Sequence, residues 1–68
     1  MVEVFKTNVT SATEAEILIT LLQHKYPDAV INFDLEDCDR ILRIKGVISV
    51  NDVVDILSEN GYFCEDLV

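Results

Sequence analysis

The side chains best suited to chemistry are few in this 68-residue chain: two cysteines, Cys38 and Cys64, and one histidine, His24. Thiolates and imidazoles bind transition metals or act as nucleophile and base, but such sites need several of these groups together. No serine, cysteine or carboxylate is spaced as a catalytic partner of His24, and the only glycines, Gly46 and Gly61, form no phosphate-binding loop. We therefore predict that the protein is not an enzyme.

A run of carboxylates surrounds Cys38. Asp34, Glu36, Asp37 and Asp39 lie close to it in sequence and offer oxygen ligands for weak binding of a divalent cation. Their spacing is not that of a calcium-binding loop. A solvated turn between two strands is the preferred interpretation, and Cys38 is kept as a weak alternative metal ligand.

The segment Ser11-Ala12-Thr13-Glu14 has the S-x-x-E pattern of a capping box. In this motif the Ser11 hydroxyl accepts a hydrogen bond from the amide of residue 14, and the Glu14 carboxylate reaches back to the amide of Ser11. The pattern predicts the start of a helix. It favours a structural role for both residues over a role as ligands.

Alternating and helical apolar patterns predict the elements that carry these residues. In the first helix the apolar stripe includes Leu18 and Leu22 and is widened by Ile17 and Leu21. We expect the strands and helices in the order strand 2–7, helix 11–26, strand 29–35, strand 40–45, helix 49–60 and strand 62–67. This order predicts an α+β, ferredoxin-like βαββαβ fold, an antiparallel four-stranded sheet with two helices on one face.

Length and charge exclude several classes of protein. A chain of 68 residues forms one domain, 1–68. Its 13 acidic and five basic side chains give a net charge of −8, which argues against nucleic acid and anionic membranes as partners. We expect a soluble, cytoplasmic protein, because the sequence shows no targeting segment and no apolar run approaching the roughly 20 residues that span a bilayer.

Several phrases of the chain resemble one known family. They are Tyr26-Pro27-Asp28-Ala29-Val30, Asn32-Phe33-Asp34-Leu35-Glu36, Ile44-Lys45-Gly46, Val53-Val54-Asp55-Ile56-Leu57 and Asn60-Gly61-Tyr62. Together they resemble the heavy-metal-associated domain of copper chaperones and copper-transporting ATPases. The resemblance implies a sheet with strand order 4-1-3-2, which would place Cys38 and Cys64 at opposite edges and make a disulfide between them unlikely.

The metal motif of that family, M-x-C-x-x-C, lies between the first strand and the first helix. Here Val9 stands at the position of the methionine, Ser11 at the first cysteine and Glu14 at the second. A hydroxyl and a carboxylate do not replace thiolates as ligands for copper(I). We therefore predict no metal and no other cofactor, with copper or zinc at an atypical site near Cys38 as the alternative.

Apolar residues on the bare face of the sheet are a candidate interface. We expect Phe5, Val30, Ile41 and Phe63 to point away from the helices, and the core side to carry Val4, Phe33, Leu35, Leu42, Ile44 and Cys64. A contiguous patch of this kind would favour self-association or docking of a protein partner. The alternative is scattered surface hydrophobic residues, which are normal singly.

Two functions follow from these observations. The first is a small non-catalytic binding or interaction module that resembles a heavy-metal-associated domain but has lost its metal site. The second is a metal-binding or metal-transport protein that uses an atypical site. The missing thiols favour the first.

Overall fold

The order of helices and strands in the fold agrees with the sequence-based prediction. A computed structural model describes residues 1–67. It contains β1 (Val2–Thr7), α1 (Ala12–Lys25), β2 (Val30–Asp34), β3 (Ile41–Lys45), α2 (Val50–Glu59) and β4 (Cys64–Asp66). The four strands form one antiparallel sheet in the order β2-β3-β1-β4, and both helices contact it. The α+β, ferredoxin-like βαββαβ prediction is confirmed.

Helix α1 begins and ends at the residues that the sequence indicates. The Ser11 hydroxyl accepts a hydrogen bond from the Glu14 amide at 3.1 Å and caps the N-terminus. At the other end the Tyr26 amide donates to the Leu22 carbonyl at 2.8 Å, and Pro27 follows. Proline has no amide hydrogen to continue this ladder, so the helix stops there.

Helix α2 has a serine cap at its start and a Schellman motif at its end. The Ser49 hydroxyl accepts from the Asp52 amide at 3.4 Å. Gly61 adopts the left-handed conformation at φ +87°, its amide donates to the Ser58 carbonyl at 3.0 Å, and the Tyr62 amide donates to the Leu57 carbonyl at 2.9 Å. This pattern satisfies the last carbonyls of the helix and fixes the path of the chain at Tyr62.

The core lies between the sheet and one side of each helix. Its fully buried large side chains are Phe5, Val9, Leu18, Leu22, Leu42, Ile44, Val53 and Leu57. The predicted widening of the α1 stripe is wrong, because Ile17 is 57% exposed and Leu21 41% exposed.

The face of strand β1 that packs against the core is the opposite of the one predicted. Phe5, expected to point outward, pairs with Leu42 and is fully buried. Val4, expected to point inward, pairs with Arg43 and is only half-buried. Successive side chains of a strand alternate between faces, so an error of one residue reverses the whole strand. The other predicted inward residues, Phe33, Leu35, Leu42, Ile44 and Cys64, all belong to the core or pack against it.

The side of the sheet turned away from the helices is called the outer sheet face below. Alternation from the buried residues and the strand registers assign its members. They are Val2, Val4 and Lys6 on β1, Val30, Asn32 and Asp34 on β2, Ile41, Arg43 and Lys45 on β3, and Glu65 on β4. No helix among residues 1–67 is long and apolar enough to cross a membrane.

Candidate functional site

The loop between β1 and α1 contains a residue whose side chain is buried in the core. Val9, which the residue pattern sets against the methionine of the metal motif, is fully buried. Its amide donates to the Thr7 hydroxyl at 3.3 Å, and that hydroxyl in turn donates to the Arg40 carbonyl at 2.6 Å. The loop is therefore anchored to the turn before β3. The Val9 side chain contributes packing and offers nothing to a ligand.

Ser11 and Glu14 cap the helix with one difference from the predicted motif. The Ser11 hydroxyl accepts from the Glu14 amide as expected. The Glu14 carboxylate, however, accepts from the amide of Thr10 at 3.5 Å and from the Thr10 hydroxyl at 3.3 Å, instead of from the amide of Ser11. The return contact thus reaches one residue further back, and it holds the loop against the first helical turn.

Tyr62 completes this cluster, although the sequence alone predicted no role for it. Hydrogen bonding between its hydroxyl and the Glu14 carboxylate is the largest cause that lowers the pKa of Glu14 and raises the pKa of Tyr62. The contacts with Thr10 and Ser11 lower the Glu14 pKa further. The Schellman motif at the end of α2 positions Tyr62. In the sequence, the Gly61-Tyr62 pair was therefore the signal that could have placed Tyr62 beside the start of α1.

Thr10, Ser11, Glu14 and Tyr62 form a group that we call the loop cluster. Its polar groups are already engaged with one another. Its one charged group already accepts hydrogen bonds, and the amide of Glu14 is already bound by the Ser11 hydroxyl. It holds hydroxyls and a carboxylate, which are hard ligands, and no thiol. Its arrangement stabilises the helix start and matches no soft-metal site.

A second group of potential metal ligands lies in the turn between β2 and β3. Ligand atoms of Asp37, Cys38 and Asp39 are all within 4.8 Å of one another. Asp37 Oδ1 accepts from the Asp39 amide at 2.9 Å, and Asp39 Oδ1 lies 3.7 Å from Lys6 Nζ. These contacts are those of a polar turn, and Cys38 is exposed to solvent.

The two cysteines occupy different environments. Cys38 is in the turn that follows the edge strand β2, and Cys64 is on the other edge strand, β4. Both thiols are free. Burial, with the nearby Asp66 carboxylate, raises the pKa of Cys64 to about 11. Cys64 therefore serves as a small apolar side chain against the core.

The four predicted interface residues do not form one patch. Phe5 is in the core, as described above. Ile41 lies on the outer sheet face but is only 6% exposed, so it adds little to that surface. Val30 on the β2 edge and Phe63 before β4 are exposed, yet they are at opposite sides of the sheet.

Other apolar residues are exposed on the outer sheet face. Val2 is 56% exposed, and half-buried Val4 is the next residue on the same face of β1. The Leu67 amide donates to the Val4 carbonyl at 2.8 Å, which brings this 44% exposed leucine beside β1. With Val30 they form the exposed apolar part of this face.

Cations are concentrated on the same face. Lys6, Arg43 and Lys45 belong to it, although the whole chain has only five lysines and arginines. Arg43 Nη1 lies 4.0 Å from Asp34 Oδ2, with both side chains nearly half-exposed, so the pair is weak. Within residues 1–67, no carboxylate lies within 4.0 Å of Lys45.

A shallow cleft of about 440 Å³ lies between the α1–β2 turn and the segment Gly46-Val47. Its lysine, Lys25, is 3.7 Å from Asp52 Oδ2. The Tyr26 hydroxyl accepts from the Ser49 amide at 3.2 Å and donates to the same carboxylate at 3.5 Å. Lys25 and Tyr26 at the cleft are thus both engaged with Asp52, and the exposed Asp28 also lines the cleft.

The chain matches no known family model. It matches no curated protein and no solved structure at a significant level. The likeness to the heavy-metal-associated domain is therefore a resemblance of residue pattern.

Proposed function

We propose that this protein is a non-catalytic interaction module, a scaffold resembling a heavy-metal-associated domain that works without a metal. The observation that carries the proposal is that the polar groups of the loop cluster already have hydrogen-bond partners within it. Where the family would place two thiolates, the Glu14 carboxylate accepts hydrogen bonds from Thr10, the Glu14 amide is capped by Ser11, and Tyr62 lowers the pKa of the carboxyl.

Ligand chemistry supports this function. Copper(I) and structural zinc are bound by soft thiolate sulfur, often with imidazole nitrogen. The loop cluster supplies neither, and its carboxylate is engaged in hydrogen bonds that a metal would have to replace. The single histidine, His24, is near the end of α1 furthest from this loop.

The outer sheet face supports interaction with another protein. It combines exposed valines with cations, whereas most of the remaining charged surface is acidic. A net charge of −8 disfavours nucleic acid and anionic membranes as the partner. We propose a protein partner and a cytoplasmic location.

Metal titration tests the proposed function. Purified protein, kept reduced, is titrated with copper(I), zinc and cobalt while absorption and competition with a chromophoric chelator are followed. We expect no tight stoichiometric binding, and the same result for Ser11→Ala. A tight one-to-one complex would overturn the proposal.

The competing function is a metal carrier with an atypical site. It is favoured by the ligand atoms of Asp37, Cys38 and Asp39, which lie within 4.8 Å of one another. Under this alternative, Cys38→Ser would abolish binding and Cys64→Ala would not. The second variant is a matched control, because Cys64 is on the other edge of the sheet.

A further inference from the structure

We propose that Asn60 is a site of spontaneous deamidation, with water as the co-reactant, and that the end of α2 controls its rate. Asn60-Gly61 is the single Asn-Gly pair of the chain, because Val9, Phe33 and Asp52 follow the other asparagines. Both residues of the pair are exposed to solvent. This chemistry is independent of the proposed function.

The reaction needs only the backbone, the Asn60 side chain and water. The Gly61 nitrogen gives its proton to a solvent base and attacks Cγ of Asn60, which closes a succinimide ring. The bond from Cγ to Nδ2 breaks, and Nδ2 takes a proton and leaves as ammonia. Water then opens the ring at either carbonyl, which gives aspartate or isoaspartate at position 60 without oxidation or reduction.

Gly61 is well suited to this attack. Glycine has no Cβ, so nothing obstructs the approach of its nitrogen to the preceding side chain. Within the described part of the chain, no atom lies within 4 Å of the place that a Cβ of Gly61 would take, so solvent has free access. The larger side chains that follow the other asparagines hinder the same approach.

In the folded structure both reacting groups are engaged in other hydrogen bonds. The Gly61 amide, which must lose its proton, donates to the Ser58 carbonyl at 3.0 Å. Asn60 Nδ2 donates to the Ile56 carbonyl at 2.7 Å, which holds the side chain against the preceding turn of α2. Ring closure therefore requires the end of α2 to open first. Helix ends fray more readily than cores open, so this local opening sets the rate.

The products change the end of α2. A carboxylate at position 60 cannot donate to the Ile56 carbonyl, and it adds negative charge beside Glu59 at the negative end of the helix dipole. Isoaspartate also lengthens the backbone before Gly61. The amides of Gly61 and Tyr62 then cannot both keep their Schellman bonds, so Tyr62 is displaced from Glu14.

Timed incubation of the purified protein tests the site. Samples are kept in mildly alkaline buffer, folded or in guanidinium chloride, and their peptides are followed by mass spectrometry. Endoproteinase Asp-N distinguishes aspartate, which it cleaves, from isoaspartate, which it does not. Asn60 should be the asparagine that is modified fastest, and at least about tenfold faster in the unfolded chain. An unmodified Asn60 in the unfolded chain eliminates the site, and a smaller ratio eliminates control by the fold.

Two matched variants test the control by α2. Glu59→Lys places a cation at the end of α2 and stabilises its last turn, whereas Glu16→Lys makes the same charge change at an exposed position of α1. Glu59→Lys should slow deamidation of the folded protein about two- to fivefold relative to its own unfolded rate, and Glu16→Lys should leave that ratio unchanged. Equal ratios in the two variants contradict control by the end of α2.

The isoaspartate product shows whether the change reaches α1. After chromatographic purification, its Glu14 pKa should lie nearer 4.5 than that of the unmodified protein. Asn60→Asp keeps the normal backbone and should shift the Glu14 pKa less. An identical Glu14 titration in all three proteins contradicts the displacement of Tyr62. None of these results bears on metal binding, so their failure leaves the proposed function intact.

Discussion

The Tyr62 hydroxyl, just after α2, and the Glu14 carboxylate, in the first turn of α1, are close enough to shift each other's pKa. The pKa of Glu14 falls below its ordinary value of 4.5, and the pKa of Tyr62 rises above its ordinary value of 10.0. Both directions have one cause, because the bond needs a protonated phenol and an ionised carboxylate. In the residue pattern that resembles the heavy-metal-associated domain, Glu14 falls at the position of the second cysteine.

Tyr62→Phe should raise the pKa of Glu14 toward 4.5, because the hydroxyl is the largest cause that lowers it. The measurement is a pH titration of the side-chain carboxyl carbon by nuclear magnetic resonance. Glu16, an exposed residue two positions further along α1, is the reference. An unchanged Glu14 titration would show that Tyr62 does not contact the carboxylate.

The same bond makes stability depend on pH. A carboxyl whose pKa is lowered in the folded state stabilises it above the unfolded pKa, and this contribution is lost as pH falls through the folded pKa. A phenol whose pKa is raised stabilises the fold below the unfolded pKa and loses that effect as pH rises through the folded pKa. The difference in unfolding free energy between wild type and Tyr62→Phe should therefore be largest between about pH 5 and pH 9.

Ser11→Ala should lower the free energy of unfolding by about 1 kcal/mol, because it removes the acceptor for the Glu14 amide. Urea unfolding followed by circular dichroism measures the change. Thr13→Ala is the control, since Thr13 is exposed in the same turn and no hydrogen bond involves its side chain. If both variants lose equal stability, Ser11 has no specific capping role.

Phe5→Ala should cost about 3–5 kcal/mol of unfolding free energy, because it empties space in the core. This loss is a large part of the total stability of a small domain, so a polar substitution here would report unfolding and not dissociation of an interface. Val2→Ala, on the outer sheet face, should change stability by no more than about 0.5 kcal/mol. A mild effect of Phe5→Ala would mean that β1 faces the other way.

Cys38 should react with iodoacetamide much faster than Cys64 in the folded protein. Cys38 is exposed, whereas Cys64 is half-buried with a pKa of about 11, which leaves about one thiol in a thousand ionised at pH 8. Mass spectrometry of peptides after timed labelling measures both rates. In urea the two rates should converge, and equal rates in the folded state would contradict the burial of Cys64.

Local sequence signals were sufficient for the helices. Ser11 and Ser49 mark their starts, and Pro27 and Gly61 mark their ends, because caps depend on residues within one turn of the helix terminus. The capping contact itself was predicted correctly only in part. Glu14 reaches Thr10 and Tyr62, and the contact with Tyr62 joins residues far apart in the sequence.

The sequence by itself determined the order of elements, the absence of thiols from the loop before α1 and the capping of both helices. Only the tertiary structure decided which face of β1 packs against the core. Val2 and Val4 alternate with Phe5, so both faces of this strand carry apolar residues and periodicity is satisfied either way. Pairing of Phe5 with Leu42 settles the choice, because the largest apolar side chain gains most by entering the space between sheet and helices.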